Sequence, residues 1–337
     1  MAPEIEDLLD EKGRELARKK RQPAWTAPML AVLADETFSD PDWIFERKLD
    51  GERCLVFKSG SRIRLRSRNK KELNDTYPEL VDALEKQPIE RFIADGEIVA
   101  FERSVTSFAR LQARIGIKDP NEARRSGVAV TLYLFDLLHC DGYDLTALPL
   151  RSRKSLLKRL LEFRGRVRYT PHRKGAGEKT HREACRKGWE GVIAKRGDGK
   201  YVHARSKDWL KFKCVNRQEF VVGGYTDPQG SRVGLGALLV GYNEDGDLRY
   251  AGKVGTGYDR ETLRDLAGRL RKKERKKPPF SAVRPIPKGV HWVTPDLVVE
   301  IGFTEWTEDG RLRHPRFLGI RTDKDPKTIE RERPGRR

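Results

Sequence analysis

Apolar and polar positions alternate along much of this chain, and the alternation changes character near Cys214. Residues 4–20 place Ile5, Leu8, Leu9 and Leu16 at helical spacing and predict a short helix, ending in the basic run Arg18 to Arg21. IFERKLDGERCLVFK (44–58) reads as two strands flanking an Asp50-Gly51 turn, a dipeptide that tolerates positive φ. RIRLRSR (62–68) puts Arg62, Arg64, Arg66 and Arg68 on one strand face and Ile63, Leu65 and Ser67 on the other. RFIADGEIVAF (91–101) and VAVTLYLFDLL (128–138) are the most apolar strand candidates, and helices are expected over 77–86, 106–114, 151–163 and 179–187. Strands and helices mix without a βαβ rhythm, which predicts an α+β fold with largely antiparallel sheets.

After Cys214 the pattern becomes three strands (219–226, 236–243, 248–255), a helix (259–273) and two strands (296–307, 311–321) joined at Asp309-Gly310. That order fits an OB-fold barrel, although an SH3-like or other small barrel would look similar. The expected organisation is an N-terminal helix and basic extension (1–24), a first domain (25–214), a β-barrel domain (215–325) and a flexible tail (326–337).

Charge narrows the choice of partner. There are 70 basic against 51 acidic residues, a net charge of +19, which attracts polyanions and favours phosphate contacts through counterion release. A merely soluble basic protein has the same balance, so charge alone leaves both readings open. The N-terminus, MAPEIEDLLDEKGRELARKKR, is charged throughout and lacks the apolar core of a signal peptide. No apolar run approaches the length of a membrane span, so no membrane partner is expected. Cys54, Cys140, Cys185 and Cys214 are scattered without a CxxC pair, which argues against a zinc site and against a disulfide scaffold. His181 and Cys185 can share a helix face, but two candidate ligands are too few for a metal site.

Lys48 is the sharpest candidate for chemistry, in Glu46-Arg47-Lys48-Leu49-Asp50-Gly51-Glu52-Arg53. A lysine attacks phosphorus only as the neutral amine, and its free pKa is about 10.4. Burial and neighbouring cations would depress that value, with later lysines as candidate neighbours. Alone, a KxDG is more often a surface lysine beside a turn.

KLDGER (48–53) does not stand alone. Ser67-Arg68-Asn69, DGEIV (95–99), YLFDLL (133–138), EGVIAK (190–195), WLKFK (209–213) and Arg321-Thr322-Asp323-Lys324 follow it. In this order they resemble the motifs of the covalent nucleotidyltransferases, the superfamily of DNA ligases, RNA ligases and capping enzymes. PMLA (28–31), SFARLQAR (107–114), DLTALPLRSRKSLL (144–157) and RHPRFLGIRTDKDP (313–326) look most like bacterial ATP-dependent DNA ligases of the end-joining type.

The resemblance implies an antiparallel-sheet adenylation domain followed by an OB-fold domain. It implies ATP as cofactor, with AMP covalently bound to Lys48, and Mg²⁺ or Mn²⁺ as the divalent metal. Glu46 would help read the adenine amino group, Phe135 would stack on adenine, and Glu97 would bind ribose. Glu190, with Glu97, would hold the metal, since hard oxygen donors suit Mg²⁺. Arg53 and Arg68 would hold phosphates, a task suited to the guanidinium fork. Lys211 and Lys213 would stabilise the α-phosphate and help keep Lys48 neutral. Asp95 receives no role, and Trp209 reads as packing. Arg321, Asp323 and Lys324 would meet pyrophosphate in the first step, after a swing of the barrel.

The implied substrate is nicked or broken double-stranded DNA, handled by a monomer in the bacterial cytoplasm at the nucleoid, with a Ku-type end-binding protein as a possible partner. The same motifs also allow an RNA ligase or a GTP-using capping enzyme. A basic platform with a barrel also allows a non-catalytic DNA-binding protein.

Overall fold

The chain divides after Cys214 into two units, and the computed structural model describes residues 5–34, 36–214, 216–230, 232–283 and 286–332. Glu4 of the expected N-terminal helix and residues 333–337 of the expected tail lie outside the described residues.

The N-terminal helix is shorter than its periodicity predicts. A 3-10 turn (Ile5–Leu8) precedes α1 (Glu11–Leu16). Asp10 starts α1 by accepting the Gly13 N–H at 2.7 Å, as an N-cap does. Gly13 itself weakens a longer helix by about 1 kcal/mol. The basic run that follows is extended, and Arg18–Lys19 pairs with Tyr143 and Asp144. Lys20 reaches Asp144 at 3.1 Å.

The other main elements of this unit are β1 (Leu30–Leu33), β2 (Trp43–Lys48), β3 (Glu52–Ser59), β4 (Arg62–Ser67), α2 (Pro78–Glu85), β5 (Arg91–Glu102), β6 (Val130–Cys140), α3 (Leu150–Leu160), β7 (His172–Lys174), α4 (Gly177–Arg186), β8 (Gly191–Arg196) and β9 (Arg205–Lys213). The helix expected over 106–114 is a five-residue turn, Phe108–Gln112.

Register sorts the strands into two sheets. One contains β4–β3–β5–β6, paired antiparallel, with the short strand Val167–Tyr169 added parallel to β6; the other runs β7–β2–β8–β9–β1, antiparallel except where β9 meets β1. The two strands beside Asp50-Gly51 therefore do not pair with each other: β2 closes in one sheet and β3 opens in the other. Gly51 is outside the left-handed region. It is needed for space, because a Cβ there would come 2.1 Å from the Ile98 carbonyl oxygen on β5.

The alternation predicted for β4 holds, with Ile63, Leu65 and Ser67 buried and Arg62 exposed. Leu55, Phe57, Ile93, Phe135 and Leu138 from the first sheet pack with Trp209 of β9 and with Met29 and Tyr201, which lie just before β1 and in the connection between β8 and β9. Each large apolar side chain buried there contributes about 1.5–3 kcal/mol, and together they hold the sheets face to face. Arg153 of α3 anchors that helix by a fully buried fork to Asp136, at 2.7 and 3.0 Å.

The cysteine expectation is overturned. Cys185 and Cys214 form a disulfide with Cα atoms 5.1 Å apart, while Cys54 and Cys140 are buried free thiols. The pair is 29 residues apart in sequence. Only the return of β9 beside α4 makes them neighbours.

The second unit matches the expected order: β10 (Asn216–Thr226), β11 (Leu238–Glu244), β12 (Asp247–Val254), α5 (Arg260–Arg271), β13 (Val290–Phe303) and β14 (Arg316–Ile320). Its sheet runs β12–β11–β10–β13, with β14 on β13, all antiparallel. The strand predicted over 311–321 breaks at His314, whose φ of 49° is left-handed, followed by Pro315. Part of the expected tail is docked. Ile329 is buried, its carbonyl accepts from Asn243, and Gln218 bonds the backbone of Glu330 and Glu332. Among the described residues no helix is long and apolar enough to cross a membrane.

Candidate active site

The cross-strand register of the second sheet builds one wall of a cleft. Lys48, Gly191 and Lys213 form one row across β2, β8 and β9; Glu46, Ile193 and Lys211 form the next. Residues two apart share a strand face, so Glu46, Lys48, Lys211 and Lys213 all project from one side. Lys48 and Lys213 are two strand spacings apart, about 10 Å between Cα atoms. Gly191 separates them, and a Cβ there would meet the Phe212 carbonyl oxygen at 2.0 Å.

The first sheet supplies the facing wall. Arg53 pairs in register with Glu97, and Leu55 with Asp95, so Arg53, Asp95 and Glu97 share a face. A bulge between Asp95 and Gly96 interrupts the β5–β6 pairing beside Phe135. Phe135 packs edge-on against Trp209, with ring centroids 6.0 Å apart. Trp209 is buried, as its packing assignment predicts.

The turn between the walls is fixed from outside. Asp50 donates its N–H to Thr106 Oγ1 at 3.2 Å, and its carboxylate accepts the Phe108 N–H at 3.3 Å. The Arg47 guanidinium lies 4.5 Å from the Trp189 ring centroid.

Lys48 donates directly to Glu190. Burial opposes its charge, but the Glu190 carboxylate, with Asp50 and Glu97 behind it, outweighs burial and lifts the amine above the ordinary lysine value. This reverses the expectation of a depressed lysine. The acid is in contact with the amine, while Lys213 is two strands away. Glu97 carries the counterpart: burial first, then Glu190 and Asp95, push its carboxyl up to about 8 against the pull of Arg53 and Lys48.

Arg53 is committed to Asp95. Its Nε and Nη2 each donate to that carboxylate at 2.5 Å, and Nη2 also reaches the Met29 carbonyl at 3.0 Å. The guanidinium lies 4.8 Å from the Phe135 centroid. Asp95 also accepts from the Tyr201 hydroxyl at 2.6 Å. Asp95, left without a role by sequence, is thus the group that orients Arg53.

Glu46 is buried between two lysines, with Oε1 on Lys154 and Oε2 on Lys195, the latter at 2.7 Å. Burial acts against its charge, yet the two ammonium groups hold its carboxyl below the usual range. Lys195 Nζ also lies 4.1 Å from the centroids of Phe135 and Trp209. Neither Lys154 nor Lys195 was singled out from sequence. The available signal was a lysine standing among apolar neighbours, in RKSLL and in GVIAK.

The structure therefore gathers Glu46, Lys48, Arg53, Glu97, Phe135, Glu190, Lys211 and Lys213 around one inter-sheet cleft. Arg68 is exposed just past the end of β4. In the second unit, Arg321 forks onto Asp323 at 2.9 and 2.8 Å and approaches Glu219 at 3.2 Å and Glu300 at 4.0 Å. Lys324 reaches Glu219 at 2.9 Å.

Hard-oxygen acids in the cleft, one of them with its carboxyl pushed up chiefly by burial, fit a divalent cation. A nucleophilic amine, acids and rows of cations in one cleft fit transfer of a phosphorus group to lysine.

Known proteins share this arrangement of sequence. Residues 28–213 match the ATP dependent DNA ligase domain, and residues 231–324 the ATP dependent DNA ligase C terminal region. The multifunctional non-homologous end joining protein LigD of Pseudomonas aeruginosa is 36% identical over 94% of this chain and 38% of its own length. The end joining DNA repair protein LigD of Mycobacterium tuberculosis is 36% identical over 91% of this chain and 40% of its own. The chain thus spans about two fifths of the length of these relatives. A solved structure, mycobacterial DNA ligase D complexed with ATP and MES, superposes with a TM-score of 0.67 at 33% identity, covering 91% of this chain and 98% of that one.

Proposed function

Because the chain belongs to the ATP-dependent DNA ligases, we propose that it seals 5′-phosphate/3′-hydroxyl breaks in DNA through a covalent lysyl-AMP on Lys48. The observation that carries this reading is the cleft itself, where Lys48 is in contact with Glu190 and faces Arg53, Glu97 and Phe135.

In the first step the Lys48 amine forms a bond to the α-phosphorus of ATP and pyrophosphate leaves. Glu190, hydrogen-bonded to that amine, is the carboxylate placed to relieve it of a proton. Lys211 and Lys213, on the same sheet face, stabilise charge developing on the α-phosphate oxygens. Phe135 stacks on the adenine, Glu46 accepts from its amino group, and Glu97 takes the ribose. The Glu46 carboxylate keeps acceptor capacity beyond its two lysine bonds. In the second step AMP passes to the 5′-phosphate of the break. In the third the 3′-hydroxyl attacks that phosphate and AMP departs. Arg68 and Arg53 bind phosphate, Arg53 from a fork oriented by Asp95. Arg321, Asp323 and Lys324 serve the pyrophosphate-releasing step.

Glu190 and Glu97 are the residues that would hold Mg²⁺ or Mn²⁺. Such an ion would neutralise triphosphate oxygens and offset the carboxylate charge that keeps Lys48 protonated. The likeness to end-joining relatives extends the substrate to DNA double-strand ends. It adds a Ku-type end-binding partner and a site of action at the bacterial nucleoid, with the chain acting as a monomer.

Full-length protein given labelled ATP or GTP with Mg²⁺, then nicked DNA or nicked RNA duplexes, tests the reading. Label is expected on the protein from ATP, and transfer and sealing are expected on DNA. Labelling by GTP in preference to ATP, or sealing confined to RNA, would overturn it.

A further inference from the structure

Cys185 stands in the last turn of α4, and Cys214 follows the last residue of β9. Both residues are partly exposed. His181, one helical turn before Cys185, brings Nε2 to 3.6 Å from its sulfur.

The crosslink is close to the chemistry. Cys214 donates its N–H to the Glu190 carbonyl at 3.0 Å, and its neighbour Lys213 pairs with Gly191 across the sheet. Glu190 is the residue bonded to the Lys48 amine, and that contact must loosen before the amine can attack. A bridge anchoring Cys214 to α4 stiffens the backbone that carries Glu190.

We infer that Cys185 and Cys214 are a reversible thiol–disulfide modification site whose reduced state gives the faster self-adenylation of Lys48. The link to adenylation rests on the ligase reading; the modification does not. With a low-molecular-weight disulfide such as oxidised glutathione, one cysteine thiolate attacks a glutathione sulfur and expels one glutathione thiolate. The second cysteine thiolate then attacks the protein sulfur of the mixed disulfide, forming the Sγ–Sγ bond and expelling the other. Two electrons reduce the glutathione disulfide, and the two cysteine protons end on two glutathione thiols.

The test uses full-length protein equilibrated in buffers of varied reduced-to-oxidised glutathione ratio. Peptide mass mapping reports the crosslink, and labelled ATP reports single-turnover self-adenylation. The crosslink is expected to form and reverse, with the oxidised protein slower by about threefold or more. C185S is expected to keep the reduced protein's rate at every ratio. Equal rates in both states of the wild type, or no Cys185–Cys214 crosslink under oxidised glutathione, overturns the inference. So does one zinc ion retained per reduced chain through His181, Cys185 and Cys214. If the reduced protein does not self-adenylate at all, the ligase reading fails instead, while the crosslink mapping stands on its own.

Discussion

Two buried charge clusters, one in each unit, are balanced in opposite ways. In the second unit Arg321 meets Asp323, Glu219 and Glu300, and Lys324 shares Glu219. Burial works against the Asp323 carboxylate, but Arg321 holds it below the usual range. In the cleft of the first unit the acids are not all compensated. Arg53 is taken by Asp95 and Lys48 by Glu190, and burial, with those two acids, pushes the Glu97 carboxyl up to about 8 against the pull of both cations. A closed network holds a shape. An open one stores an affinity for whatever supplies the missing positive charge.

The largest expected effect comes from removing the one cation in the open cluster that does chemistry. Lys48→Ala is expected to reduce sealing of an ordinary nick by about four orders of magnitude or more. Gel-shift affinity for nicked DNA should stay close to wild type, and a nick already carrying AMP should still be sealed. Loss of sealing on the preadenylated nick as well would place Lys48 in a structural role.

Glu190→Gln keeps the shape and removes the charge. Self-adenylation should fall by about 10²- to 10³-fold. The lysine loses the partner that lifts it, so the ascending, acid-side limb of the residual pH–rate profile, where the amine deprotonates, should move to lower pH. An unmoved limb would mean that Glu190 does not control the amine.

In the closed cluster, Arg321→Met leaves three carboxylates without their shared partner. Unfolding of the second unit should become easier by about 3 kcal/mol in denaturant titrations. No change would show that the network is not balanced as described.

The smallest effect is a pH dependence. Glu97 titrates near 4.5 when unfolded and about 8 when folded, so between those values the folded state binds the extra proton. Metal-free stability therefore falls as pH rises through that window, by about 1–2 kcal/mol for a partly exposed group. Glu97→Gln should flatten the slope. A slope that survives the substitution belongs to another group.

Much of this was legible in the sequence because its signals are local. The alternation in 62–68 and the strand–strand–strand–helix–strand–strand order after Cys214 depend on period and turns. So does the spacing that puts Lys211 with Lys213 and Glu46 with Lys48 on single strand faces. What was hidden depends on contacts between distant segments. Asp50-Gly51 looked like a hairpin turn, but its strands enter different sheets, and Gly51 answers to the Ile98 carbonyl rather than to its own φ. The clamp of Asp95 on Arg53, the Lys154–Glu46–Lys195 triad and the Cys185–Cys214 bond join residues 29 to 149 apart in sequence. The sign of the Lys48 shift was misread for the same reason, since Glu190 is 142 residues away.

The most direct test is intact-mass spectrometry of the full chain after incubation with ATP and Mg²⁺, followed by peptide mapping and then by added pyrophosphate. The account predicts one AMP per chain, located on Lys48 and removed by pyrophosphate. An adduct on any other residue, or no adduct on protein that still seals DNA, would contradict it.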